Sequence, residues 1–259
     1  MSKSKYINTF NTTAEYDAYI ESAYPEFPNV GYDKQTGKVN IRRTSPNNYQ
    51  IWGTTTATSN FNIKLNNTNV EVTVDPDLGE FYLTGWTGTL TSIKQCFQNN
   101  TNITSIKKFA LDTSHITGDG CTTICYGCSN LTFLDTSFIL NNTITNIAQN
   151  FNGCGSLTSL DLSSWDTKNV TTIMNIFNNC RSLTSLNLNG CDFSNVTTQS
   201  SAFTNCSSLT DVYITVEATL MKLTNNLTSQ GGNYIPSTAT IHYNGIDYTW
   251  QSNAWTPQS

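Results

Sequence analysis

The chain has 259 residues, with 13 Lys+Arg against 18 Asp+Glu and a formal charge of −5. That balance argues against a nucleic-acid binder, which needs a basic face to displace counterions from phosphates. No apolar run reaches the ~18 residues of a membrane span, and the start, MSKSKYINTFNTTAEYDAYI, lacks the apolar stretch of a secretory signal, so no export leader is expected. Charged residues are only 12% of the chain, whereas Thr occurs 42 times and Asn 33 times. This bias predicts turn-rich structure with a neutral surface of hydroxyls and amides, and does not suggest a catalytic machine.

Residues 1–48 do not repeat. TTAE at 12–15 fits a capping box ahead of Tyr16, Tyr19 and Ile20, which predicts a short helix. FPNVGYDKQTGKVNIRR then reads as two strands around a Lys-Gln-Thr-Gly turn. Residues 49–88 alternate in FNIKL, VEVTV and EFYLTGW, predicting three strands, with DPDLGE the turn between two of them.

From about residue 90 the chain repeats. CSNLTFLDT, CGSLTSLDL, CRSLTSLNL and CSSLTDVYI start at Cys128, Cys154, Cys180 and Cys206, at a constant period, and FQNNTNITSI carries Asn100 in the cysteine slot of an earlier unit. LTSLDLS reads as a strand around Leu160 and Leu162, and NVTTIMNIFNNC places Val170, Ile173, Met174 and Phe177 on one helical face. A strand and a helix per unit cannot bury both faces alone, but stacking makes a continuous core. The fold class expected is therefore an α/β leucine-rich-repeat solenoid. It has about five strand–helix units of roughly 26 residues, a parallel sheet, a β-rich N-terminal cap and a C-terminal hairpin cap. The boundaries expected are 1–48 for an attachment module, 49–88 for the cap, 89–221 for the solenoid and 222–259 for the capping hairpin, whose turn is Asn244-Gly245.

The form FxNCxSLTSLxLsxxDxSNVTxI resembles the BspA-like, or DUF285-type, bacterial leucine-rich repeats. It departs from the general leucine-rich pattern where an asparagine ladder would follow the strand. Leu111, Ile139, Trp165 and Cys191 hold that slot here. The resemblance implies a surface, adhesion or host-contact protein. The opening segment resembles N-terminal segments of structural proteins from gut Bacteroidales and their crAss-like phages. It implies attachment through residues 1–48 to other virion proteins or to further copies of the chain, as a homo-oligomer. The fold alone dictates no activity.

CTTICYGC, with Cys121, Cys125 and Cys128, matches the CxxxCxxC spacing of a radical-SAM iron–sulfur loop. The repeat offers a plainer reading. Cys121 falls where other units have Ile147 and Ile173, Cys125 falls with Phe151, Phe177 and Phe203, and Cys128 belongs to the cysteine column. Packed thiols are expected, with no cofactor, no metal and no disulfide framework. Cys96 and Cys191 fall in variable slots. His115 and His242 are the only histidines, no catalytic motif appears, and no enzyme is expected.

What remains is the exposed face of the sheet. Residues between the strand leucines point outward, giving the columns Lys107, Asp135, Asp161, Asn187, Tyr213 and Ser105, Phe133, Ser159, Ser185, Asp211. The candidate ligand-binding residues are Phe133, Asp135, Ser159, Asp161, Ser185, Asn187, Asp211 and Tyr213, matched to a bacterial surface protein or glycan. The leading expectation is a non-enzymatic phage virion or tail-associated component, released to the extracellular space by lysis. The alternative is a BspA-like adhesin of the bacterial cell surface.

Overall fold

The computed structural model describes residues 49–137, 142–225, 227–228 and 232–258, together with two strands nearer the start, β1 (Val30–Asp33) and β2 (Lys38–Ile41). The chain divides into two compact units, Met1–Tyr49 and Gln50–Ser259. In the first, β1 and β2 pair antiparallel, with Val30 opposite Ile41 and Asp33 opposite Lys38. The helix expected after TTAE lies outside the described residues.

The second unit opens with four strands, β3 (Ile51–Thr55), β4 (Phe61–Leu65), β5 (Thr68–Asp75) and β6 (Glu80–Leu83). The sequence predicts three. IWGTT is the additional one, and its glycine is required by close packing: a Cβ on Gly53 would meet the Ser105 carbonyl oxygen at 2.0 Å. β3 pairs antiparallel with β6 on one side and with β7 (Ile103–Phe109) on the other, and so joins the cap to the first strand of the repeat. β7 continues in parallel to β8 (Phe133–Leu134). A second sheet then runs β9 (Ser159–Asp161), β10 (Ser185–Asn187), β11 (Asp211–Ile214) and β12 (Thr240–Tyr243), all parallel. It ends with β13 (Ile246–Gln251) and β14 (Ala254–Pro257), both antiparallel. Asn244 and Gly245 both have positive φ, as a two-residue hairpin turn with the right twist demands.

The solenoid has about five turns, but the described residues do not support the expected strand–helix unit. Among the described residues there is one helix, α1 (Glu217–Thr224), and it lies after the repeats. The segment read as a helix, NVTTIMNIFNNC, is a ribbon of stacked turns. Alternate N–H groups, those of Ile173, Asn175, Phe177 and Asn179, donate across to the carbonyls of Thr198, Ser200, Ala202 and Thr204 in the next turn of the solenoid. Those between them, from Ile176, Asn178 and Cys180, close tight turns onto the residue three before. This path needs positive φ at Asn175 and Asn179, which asparagine tolerates, and a helix would forfeit every cross-turn bond. Thr, Asn and β-branched residues are also poor helix formers. Val170, Ile173, Ile176, Phe177 and Cys180 are buried, whereas Met174 is only partly buried, so the apparent helical stripe is wrong at Met174 and misses Ile176.

The period places like residues in columns. Leu160, Leu186, Val212 and Ile241 meet across the second sheet, and Phe151, Phe177 and Phe203 stack beneath the turn ribbon with centroids 6.0 and 5.3 Å apart. The column cysteines are buried and hydrogen-bonded. The thiols of Cys128, Cys154, Cys180 and Cys206 donate to the carbonyls of Phe97, Cys125, Phe151 and Phe177 at 2.9–3.1 Å. Burial also pushes thiol acidity away from reactivity, raising Cys121 to about 12. Threonine is abundant for a related reason. The hydroxyls of Thr184 and Thr210 donate to the carbonyl of the threonine one turn earlier, at 2.9 and 3.1 Å, and Thr171 does the same at another corner.

Both ends are capped by hydrogen-bond donors and acceptors in register. Lys64 and Asn66, at the end of β4, donate N–H groups to the carbonyls of Cys96 and Ser92 in the first ribbon. At the far end the N–H of Phe193 donates to the Thr219 hydroxyl of α1, and the N–H of Phe203 to the Gly232 carbonyl. Open solenoid ends would expose both apolar surface and unpaired backbone, and these contacts remove part of each.

Candidate ligand-binding face

The outward residues of the second sheet form two rows fixed by strand register. One row is Ser159, Ser185, Asp211 and Thr240; the other is Asp161, Asn187, Tyr213 and His242. The antiparallel pairing of β12 with β13 places Asp247 opposite His242, extending the second row. Six of the eight sequence-derived candidates therefore share one sheet. The other two, Phe133 and Asp135, lie in or just after β8 in the first sheet, which has no ladder to β9. Phe133 is half exposed, at 53%. Ser105, in the outward column by spacing, is buried because β3 covers it and the Thr54 hydroxyl bonds to its own at 2.7 Å. Lys107 holds its ammonium 4.9 Å above the Trp52 ring.

Several of these side chains are partly committed to the fold. The Asp135 and Asp161 carboxylates and the Asn187 amide oxygen accept the N–H of Ser137, Ser163 and Asn189 at 2.8–3.0 Å. These are Asx turns that end each strand. Burial raises the Asp161 carboxyl, but the Ser163 hydroxyl and N–H and the Asn187 side chain outweigh it and hold it below its ordinary range. Asp161 thus remains a carboxylate with an oxygen turned to the exposed face.

The densest arrangement lies where β11, β12 and β13 meet. The Nε2 of His242 is 3.0 Å from the Asp211 carboxylate, and its Nδ1 is 2.7 Å from the Asp247 carboxylate. Desolvation pulls the His242 pKa down, but these two carboxylates more than offset it and leave it raised. Asp211 is lowered in turn by His242 and by the Thr210 hydroxyl. With both ring nitrogens engaged, His242 has none left to act as a general base. Its ring stacks on Tyr213, with centroids 4.5 Å apart and planes 18° apart. Tyr213 is 37% exposed. On the side of Tyr213 toward β9, Ser159, Leu160, Asp161, Ser185, Asn187, Asn189 and Tyr213 line an open groove of about 360 Å³.

His242 and Asp247 escape the sequence reading because β12 reads as half of an isolated hairpin. The available signal is that ATIHY repeats the alternation of TDVYI one step further, which makes β12 another parallel strand. His115 is an exposed turn residue beside Ser114 and Asp112.

Fold and face together define the class: a parallel β-solenoid, end-capped, with one open polar sheet face. Residues 91–218 match the DUF285 family, described as a Mycoplasma protein of unknown function. No curated protein and no solved structure matches the chain. Among the described residues no helix is long and apolar enough to cross a membrane.

Proposed function

We propose that the protein is a non-enzymatic recognition component of a phage virion or tail, whose solenoid contacts a protein or glycan on a bacterial surface. The observation that carries this reading is the row Asp161, Asn187, Tyr213, His242. Evenly spaced polar side chains and an exposed ring on a rigid sheet supply the orienting groups and the aromatic anchor that recognition requires. The match to a bacterial family covers the repeats and not the opening segment, and with the resemblance read from the sequence of residues 1–48 it supports a division of labour. The opening segment attaches to other virion proteins or to copies of itself, and the solenoid reads the target. The alternative, a BspA-like adhesin of the bacterial cell surface, uses the same face and differs in where the protein is found.

The test pairs two variants in assays of particle incorporation and of binding to gut bacterial cells. Removing residues 1–48 should abolish incorporation and leave cell binding intact. Asp161→Asn combined with Tyr213→Ser should weaken cell binding at least tenfold and leave incorporation intact. Cell binding unchanged in the double variant would overturn the assignment of the face. Recovery of the protein from washed bacterial envelopes in the absence of phage would favour the adhesin.

A further inference from the structure

We infer that the groove between β9 and β11 is a subsite for a neutral sugar ring of a bacterial glycan, with the Tyr213 ring as its wall and His242 as the residue that holds this wall upright. The inference rests on the reading of this face as a recognition surface and adds the chemical class of its ligand.

Three features lead to a sugar. The first is the wall. Side chains stand roughly perpendicular to a sheet, and His242 occupies one face of the Tyr213 ring from the neighbouring strand at 4.5 Å, so the other face is turned along the groove. A pyranose offers such a ring a flat patch of C–H groups and leaves its hydroxyls at the edges. The second is the floor and far side. Ser159, Ser185, Asn187 and Asn189 supply donors and acceptors, and Asp161 supplies acceptors only, a set suited to hydroxyl groups that both donate and accept. The third is size. A volume of about 360 Å³ accommodates one or two sugar rings.

The electrostatics narrow the class. No Lys or Arg lines the groove, Asp161 stays ionised, and Asp211 and Asp247 lie on the adjoining strands. An acidic sugar would bring a carboxylate or sulfate toward these carboxylates with no cation to receive it. Neutral hexoses and N-acetylhexosamines meet no such penalty.

His242 acts through Tyr213 and is a positioning residue. The titratable groups facing it are Asp211 and Tyr213 on β11 and Asp247 on β13; Tyr243, next on its own strand, packs against the core. An imidazolium donates to both carboxylates at once, whereas a neutral ring can donate to only one. The clamp on the Tyr213 ring therefore loosens as pH rises through the raised pKa of His242.

The experiment uses the full chain on an array of bacterial-type oligosaccharides, neutral and uronic-acid-containing, with a parallel assay on intact gut bacterial cells. The expected result is binding to neutral members alone. Tyr213→Ala should lose at least tenfold and Tyr213→Phe no more than about twofold. His242→Gln should lose severalfold and abolish the decline in binding expected of wild type as pH rises through the raised His242 pKa. Selective binding of uronic-acid sugars, or neutral binding indifferent to Tyr213→Ala, would overturn the inference. So would a blank array while Tyr213→Ala still weakens cell binding, a result that leaves the recognition face standing and makes its ligand a protein. Cell binding unaffected by Tyr213→Ala and by the Asp161→Asn, Tyr213→Ser pair removes both readings.

Discussion

Two aromatic stacks run along this solenoid on different sides of its wall. Phe151, Phe177 and Phe203 stack beneath the turn ribbon and are almost wholly buried. Tyr213 and His242 stack on the outer face of the sheet, where Tyr213 remains 37% exposed. The same stacking of one turn on the next sets both, but the inner stack repeats one residue type and the outer stack does not. Around the inner stack, thiols donate to carbonyls and alternate backbone amides cross to the next turn. On the outer face Asp161 and Asn187 each use a side-chain oxygen to close a turn, and both side chains still line the open groove. The lesson is that regularity marks the parts that build the solenoid, while variation within a register position marks the part available for recognition.

The largest expected effect lies in the inner stack. Phe177→Ala removes a ring with neighbours on both sides and should cost about 3–5 kcal/mol, read as a fall in the denaturant midpoint at unchanged slope. Tyr213→Ala on the outer stack should cost far less, and equal losses would erase the distinction between the two.

The cysteine column comes next. Cys180→Ala forfeits a thiol donor and some volume, but the Phe151 carbonyl keeps its bond from the Cys154 N–H, so the cost should be about 1–2 kcal/mol. Cys180→Ser, which keeps a donor, should cost less than Ala. The burial of all eight cysteines predicts that the native protein resists alkylation at pH 8 and that all eight react after unfolding. Rapid labelling of the column in the native state would contradict its assignment to the sealed side.

On the open face, Asp161→Ala should cost about 1 kcal/mol through loss of its Asx turn, and Asp161→Asn should cost almost nothing. Thermal melts of the two variants separate the structural oxygen from the charge.

The smallest effect is that of pH on the Asp211–His242–Asp247 cluster, under about 1 kcal/mol because its members are partly exposed. The raised His242 pKa contributes stability that is present below the ordinary imidazole value of 6.5 and is lost as pH rises through the folded value. The lowered Asp211 pKa contributes stability that is present above 3.8 and is lost as pH falls through the folded value. Wild type should therefore exceed His242→Gln most between those two values, and a difference that grows toward alkaline pH would contradict the cluster.

The repeat period was legible in the sequence because Cys154, Cys180 and Cys206 and the leucines beside them recur at one spacing in buried slots. The strand columns and the outward rows follow directly from that period. The turn ribbon was not legible. Val170, Ile173 and Phe177 also fit helical spacing, and only the density of asparagine at positions such as Asn175 and Asn179 hints at left-handed backbone instead. β3 was hidden by Gly53 within a short run of threonines. His242 and Asp247 were hidden because a parallel strand and a hairpin strand share the same alternation, and only the register with Tyr213 tells them apart.

The central claim is that the outer stack is a reading surface and the inner stack is only structure. It is tested most directly by aromatic-ring NMR of the labelled protein, titrated with oligosaccharides released from gut bacterial envelopes. The Tyr213 and His242 ring signals should shift with saturable dependence, and those of Phe151, Phe177 and Phe203 should stay in place. Saturable shifts elsewhere on the protein with Tyr213 unmoved would contradict the claim.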